Sequence, residues 1–202
     1  MKPFYLLGVI LVTVTMSACT LLPEPEPTPR LLQLQALTLQ QEGDQEPKHQ
    51  IRLAVERPLA SSPLRQTDLW YQDQDFVLMP FSRHLWTESL DQQVQSLLAD
   101  YLAAQSWSKA VSLDTPGFRS DYRLRVHLQH WYLDTRQEKL IISLQANLLN
   151  SQGNSLLQHQ WRGEQAVTEL SAPGLAQASQ EWLQNWAEDL NQRLEAYWDK
   201  SI

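Results

Sequence analysis

Near the start of the folded region, Leu32 to Leu39 and His49 to Glu56 carry apolar residues at alternate positions, with the polar run Gln41 to Lys48 between them. That is the pattern of two strands and a connection. Leu69 to Tyr71 and Phe76 to Met79 flank Gln72-Asp73-Gln74-Asp75, a polar turn that closes a hairpin, although no glycine fixes its type. From Trp86 the period lengthens: Leu90, Val94, Leu97, Leu98, Tyr101 and Leu102 recur at helical spacing, and a helix is expected over 86–105.

Alternation returns at Asp121 to Leu133. It sends Tyr122, Leu124, Val126, Leu128 and His130 to one side, and Arg123, Arg125, His127, Gln129 and Trp131 to the other. Lys139 to Leu149 repeats the pattern, and Leu156 to Arg162 follows the turn-rich Asn150 to Asn154, so three strands should form an antiparallel meander. Pro173 fits only near a helix start. Beyond it Leu175, Trp182, Trp186, Leu190, Leu194, Tyr197 and Trp198 mark a long amphipathic C-terminal helix. The expected class is α+β, a mixed or antiparallel sheet with two amphipathic helices packed on one face. The opposite face is left either solvated or carrying a partner surface.

The N-terminal segment reads differently. Lys2 precedes an apolar run, Tyr5 to Val14, too short to span a bilayer, where about 20 residues are needed. Met16-Ser17-Ala18-Cys19 then resembles a bacterial lipobox, with Met16 in place of the commoner leucine. The chain holds a single cysteine, so no disulfide partner exists for it, and acylation accounts for its position. Each buried methylene contributes about 0.8 kcal/mol, so the acyl chains implied by the lipobox would hold the protein on a membrane. Asp after the cysteine usually signals inner-membrane retention, but here Thr20 follows, which favours the outer membrane of a two-membrane cell, facing the periplasm. The expected organisation is a signal peptide over 1–18, lipidated Cys19 with a Pro-rich spacer over 19–30, and one periplasmic domain over 31–202. Leu-Pro-Glu-Pro-Glu-Pro-Thr-Pro at 22–29 favours extended polyproline and would hold the domain off the membrane.

Charge and candidate chemistry narrow the function. The formal net charge is −7, and no cluster of Lys or Arg could neutralise several phosphates, so nucleic acid is not an expected partner. Among the five histidines the closest pair, His127 and His130, should point to opposite faces by alternation, which argues against a metal site. The six glycines never cluster as a phosphate cradle, and no Gly-x-Ser-x-Gly elbow occurs. Asp73 and Asp75 read as turn residues. No catalytic constellation and no cofactor are expected, and the protein is read as not being an enzyme. Of the eight tryptophans, Trp70 and Trp86 gather with Tyr71 and Phe81 around the hairpin and the start of the first helix. Aromatic residues serve cores and interfaces alike, so these four are candidates both for packing and for binding a partner.

Ile51-Arg52-Leu53-Ala54-Val55-Glu56-Arg57-Pro58, Leu64-Arg65-Gln66-Thr67-Asp68-Leu69-Trp70-Tyr71 and Phe81-Ser82-Arg83-His84-Leu85-Trp86-Thr87-Glu88-Ser89-Leu90, taken with the lipobox and spacer, resemble the ABC-type transport auxiliary lipoprotein family. In that family a strand ending near a proline precedes an arginine-bearing segment, a tyrosine-containing hairpin and a tryptophan that begins the first helix. His84-Leu85 before the tryptophan and the wealth of Gln depart from the family pattern. The resemblance implies a non-enzymatic auxiliary role in intermembrane lipid transport, with an MCE-domain protein bridging the periplasm as partner. A bridge with rotational symmetry would be met best by a homo-oligomer. A pilotin or surface-polymer export lipoprotein would share the anchor and the lack of catalysis, and a periplasmic hydrolase would instead lose turnover on mutation of a His or Asp.

Removing the acylated side chain tests the anchor. Cys19→Ala should move the protein from the membrane fraction to the soluble fraction, or mislocalise it, and sensitise cells to detergent. Fractionation showing the variant still membrane-bound would overturn the assignment.

Overall fold

The computed structural model describes residues 28–39 and 48–201. The signal segment, Cys19 and all of the spacer before Thr28 lie outside those residues. In chain order the strands are β1 (Arg30–Leu32), β2 (Ile51–Val55), β3 (Leu59–Ala60), β4 (Asp68–Gln74), β5 (Val77–Trp86), β6 (Ser108–Leu113), β7 (Tyr122–Asp134), β8 (Lys139–Asn150) and β9 (Ser155–Ala166). The helices are α1 (Leu90–Ala103) and α2 (Ala172–Ser201), with a single 3-10 turn at Ser62–Arg65. None of the described helices is long and apolar enough to cross a membrane.

β7 is the spine of one mixed sheet. Along one edge it pairs antiparallel with β8 from Tyr122↔Asn150 to Asp134↔Lys139, and β8 pairs in turn with β9, giving the expected meander. Three short strands share its other edge, all parallel to it. β2 meets Tyr122 to Leu124, β3 meets His127 and Leu128, and β4 meets Leu133 and Asp134. β2 carries β6 beyond it, while β4 carries β5 and then β1. The sheet therefore forks on this side, with only the two residues of β3 in the gap.

Strict alternation fails inside β7. Register slips between Leu128 and His130, and the inward set passes from Leu124, Val126 and Leu128 to Trp131 and Leu133. An extra residue in one strand reverses the side on which every later side chain emerges. Trp131 consequently belongs to the core at 3% exposure, and His127 and His130 are both exposed, contrary to the expectation of opposite faces.

The inward phase is what α2 packs against. Its Trp182 and Trp186 stack with ring centroids 6.2 Å apart, Trp131 meets Trp182 edge-on at 5.8 Å, and Trp161 of β9 meets Trp186 edge-on at 6.0 Å. Trp131 Nε1 donates to Ser179 Oγ at 2.9 Å and Trp161 Nε1 to Asp189 Oδ2 at 2.6 Å, so neither indole N–H is stranded. The Trp182 indole lies directly on Gly163, where any Cβ would collide with it. α1 covers the fork with Leu90, Val94, Leu98 and Leu102, all buried.

Three expectations are corrected at element boundaries. At the hairpin, β4 runs on through Gln72 and Asp73 to Gln74, and the turn is Asp75 and Phe76, because Gln74 still pairs with Val77. The first helix begins at Leu90 and not at Trp86, because ladder-like bonding holds the chain extended further. The Trp86 N–H donates to Thr67 O at 2.6 Å and the Thr87 N–H to Leu32 O at 2.8 Å. Of the strand expected over Leu32 to Leu39, only Leu32 pairs with another strand, as the last residue of β1. Strand β6 is an edge strand whose residues 110–113 are all half-buried, so it presents no clear inward and outward sets.

Residues 33–39 stay extended without a strand partner because glutamines take the partner's place. The N–H groups of Leu34, Gln35 and Thr38 donate to Oε1 of Gln93, Gln180 and Gln184 at 2.9, 2.7 and 2.8 Å. Gln180 and Gln184 return bonds from Nε2 to the carbonyls of Gln35 and Thr38. A carboxamide offers a donor and an acceptor side by side, as a peptide group does, and so can imitate a ladder rung. Leu34 and Leu37 are meanwhile buried.

This strap should be separable from the rest of the fold. Gln180→Leu with Gln184→Leu removes the four hydrogen bonds these glutamines make to the strap, each contributing about 1 kcal/mol. Amide exchange at Gln35 and Thr38 should speed by at least tenfold while the β7 and β8 amides keep their protection.

Candidate functional site

The four aromatic residues singled out in sequence do not share one surface. Trp86 is 3% exposed and lies in the core, where it offers nothing to a partner. Tyr71 and Phe81 are half-buried against the core and pack on each other with ring centroids 4.8 Å apart. Trp70 emerges on the opposite face of β4, half-buried, and its Nε1 donates to Pro63 O at 3.1 Å. Register carries Trp70 beside Tyr132, since Tyr71 pairs with Leu133 and Gln72 with Asp134. Trp70, Leu78, His130 and Tyr132 line one shallow depression on this outer face. Burial raises the Tyr132 hydroxyl above its ordinary pKa, so it stays a neutral donor there.

The remaining outer face is polar. Arg123, Arg125 and His127 point out of β7, with Arg125 paired to Glu56 at 2.6 Å, a hydrogen bond that holds the guanidinium's pKa above its usual value. Gln158, Gln160, Arg162 and Glu164 are exposed along β9.

Between the arms of the fork, at β3, lies an open groove of about 730 Å³ lined by Arg57, Pro58, Leu59, Arg65, Asp91 and His127 among others. Its geometry follows from the fork, because two residues of β3 cannot fill the gap between β2 and β4. Arg57, just past β2, donates from Nε to Asp91 Oδ2 at 2.6 Å and ties the β2–β3 connection to the first turn of α1. That bond raises the Arg57 pKa further. The Asp91 side chain is 1% exposed against 53% for Arg57, and Asp91 Oδ1 is buried without a hydrogen-bond partner among the described residues.

Sequence reasoning passed over this groove. Arg57, Arg65, Asp91 and His127 are far apart in the chain, and only Asp91, a carboxylate beside the apolar stripe of α1, gave a local sign. The groove's cations and exposed imidazole can bind or orient a ligand. Among the described residues, no group of three or more His, Cys, Asp or Glu is placed to hold a metal ion. Cys19 lies outside the described residues.

The family model described as "ABC-type transport auxiliary lipoprotein component" matches residues 32–191. Among solved structures, the crystal structure of a Xanthomonas campestris protein of the family DUF330 matches with a TM-score of 0.72 at 15% identity, covering 84% of this chain and 97% of that one. A second crystal structure, of an uncharacterized protein, matches with a TM-score of 0.67 at 16% identity, covering 83% of this chain and 99% of that one. At such identities the likeness is one of fold. No curated protein matches the chain.

The Arg57–Asp91 pair has a testable asymmetry. Arg57→Met strands a buried carboxylate and should cost about 2 kcal/mol, less than a fully buried pair because the guanidinium is half in water. Adding Asp91→Asn should restore more than half of the loss, as read by urea unfolding of the single and double variants.

Proposed function

This chain belongs to the ABC-type transport auxiliary lipoprotein family, and from that premise we propose that it is an outer-membrane lipoprotein serving, without bond chemistry of its own, an MCE-type intermembrane lipid transport system. Its work is positional. A bridge that carries lipid across the periplasm needs a receiver fixed at the far membrane, and a folded domain held by acyl chains on Cys19 supplies one. The observation that carries this reading is the family match over residues 32–191, which takes in most of the folded part and names both a lipoprotein and a transport role. The lipobox ending at Cys19 supports the anchor, and Thr20 after it supports the outer membrane.

Docking is assigned to the outer face at the β4–β5 corner. There Trp70 and Tyr132 combine apolar area with hydrogen-bonding edges, as interface anchors do. A repeated copy of this chain around a rotationally symmetric bridge would multiply the contact without requiring a large surface on any one copy.

Affinity purification of the tagged, acylated full chain from detergent-solubilised membranes tests the assignment. An MCE-domain protein should be recovered with it, and Trp70→Glu should lower that recovery about tenfold, a loss expected for an interface anchor, with acylation unchanged and thermal unfolding showing the variant still folded at the assay temperature despite the lost bond to Pro63 O. Recovery of a secretin or of a polymer-export channel in its place would overturn the proposal in favour of a pilotin-like role.

A further inference from the structure

The tip of the β4–β5 hairpin is built against the ordinary rules for a solvent-exposed turn. Gln74 pairs with Val77, leaving Asp75 and Phe76 to make the turn. Phe76 has a φ of 66° and its side chain is fully exposed, while Val77 and Leu78 beside it are each 42% exposed. The left-handed region suits glycine or asparagine, and a tip in water favours polar residues. An aromatic ring here is both strained and unburied, which is a reason to look for what buries it. The one formal charge in the turn is compensated, since Asp75 pairs with Arg136 at 2.9 Å.

Strand directions show which way this tip faces. β4 runs toward the tip, parallel to β7, and β5 leads away from it. β1 is parallel to β5, with Arg30 beside His84, so the chain enters β1 from the side of the tip. Measured along β5, the tip lies roughly 23 Å from that entry point at about 3.3 Å per residue. The residues between Cys19 and Arg30 reach roughly 34 Å when extended as polyproline. The acylated end therefore reaches the plane of the tip with length to spare.

We propose that Phe76 and Val77 insert into the interfacial layer of the same bilayer that holds the acyl chains of Cys19, giving the domain a second point of membrane contact. The inference rests on the acylated anchor proposed above. Aromatic and aliphatic side chains settle at the boundary between headgroups and acyl chains. A tether alone leaves the domain free to turn, whereas tether and tip together fix which end faces the lipid. The Asn150 to Asn154 turn, at the other end of β8, then points away from the membrane.

The test uses the acylated full chain reconstituted into phosphatidylethanolamine and phosphatidylglycerol vesicles. Cys19 is the only native cysteine and is consumed by acylation, so Val77→Cys or Gln152→Cys provides a single thiol for an environment-sensitive fluorophore. Intact mass of each preparation establishes acylation first. An unmodified Cys19 would overturn the anchor and this inference together. With acylation present, emission from position 77 should shift to the blue and be quenched by nitroxide on the lipid acyl chains severalfold more than emission from position 152. Phe76→Asp added to Val77→Cys, an exchange that the left-handed turn tolerates, should abolish the difference. Equal quenching at the two positions, or a signal at 77 that survives Phe76→Asp, would overturn the insertion while leaving the anchor standing.

Discussion

The interior depends on one surplus residue in β7. Between Leu128 and His130 the strand changes the side to which it sends its apolar residues, and this turns Trp131 into the core. Trp131 is the contribution of β7 to a run of indoles that continues through Trp182 and Trp186 to Trp161 of β9. With an unbroken alternation His130 would face α2 and Trp131 would face water, and the helix would meet an imidazole where it now meets a ring and a hydrogen-bond donor. The bulge thus couples the longest strand to the longest helix, and its phase decides which surface remains free for other uses.

Most of the architecture was legible because long amphipathic segments advertise their period. The β7–β8–β9 meander, the hairpin and the C-terminal helix all follow from spacing alone, as does the α+β class. What escaped was decided by contacts distant in sequence. A bulge leaves no mark in the alternation of Leu124 to Leu133 other than an inconvenient tryptophan. Residues 33–39 read as a strand because they are extended, yet the partners of their backbone are side chains from both helices. The helix start near Trp86 was displaced by pairing to Thr67 and Leu32, which no local pattern encodes.

The site was less legible than the fold. Counting aromatic residues near the hairpin gathered Trp70, Tyr71, Phe81 and Trp86 into one candidate patch, but β-strand alternation distributes neighbours between faces, and Trp86 is core. The groove at the fork draws on β2, β3, α1 and β7 and arises from the shortness of β3, a property of topology. Arg57 and Arg65 stand in the segments that resemble the family, yet neither was singled out, because only the fold brings them to one groove.

The glutamine fastening of residues 33–39 has a mechanical side. On the proposed anchoring at Cys19, a pull on the residues before Thr28 would arrive first at β1 and then at this strap, so its bonds would share the load. Those bonds join neutral amides to backbone. Carboxamides neither titrate in the physiological range nor attract counterions, so the grip is indifferent to acidity and ionic strength. Under the proposed periplasmic placement the joint would face a compartment whose small-ion content follows the surroundings of the cell, where a joint made of ion pairs would slacken and tighten with the medium.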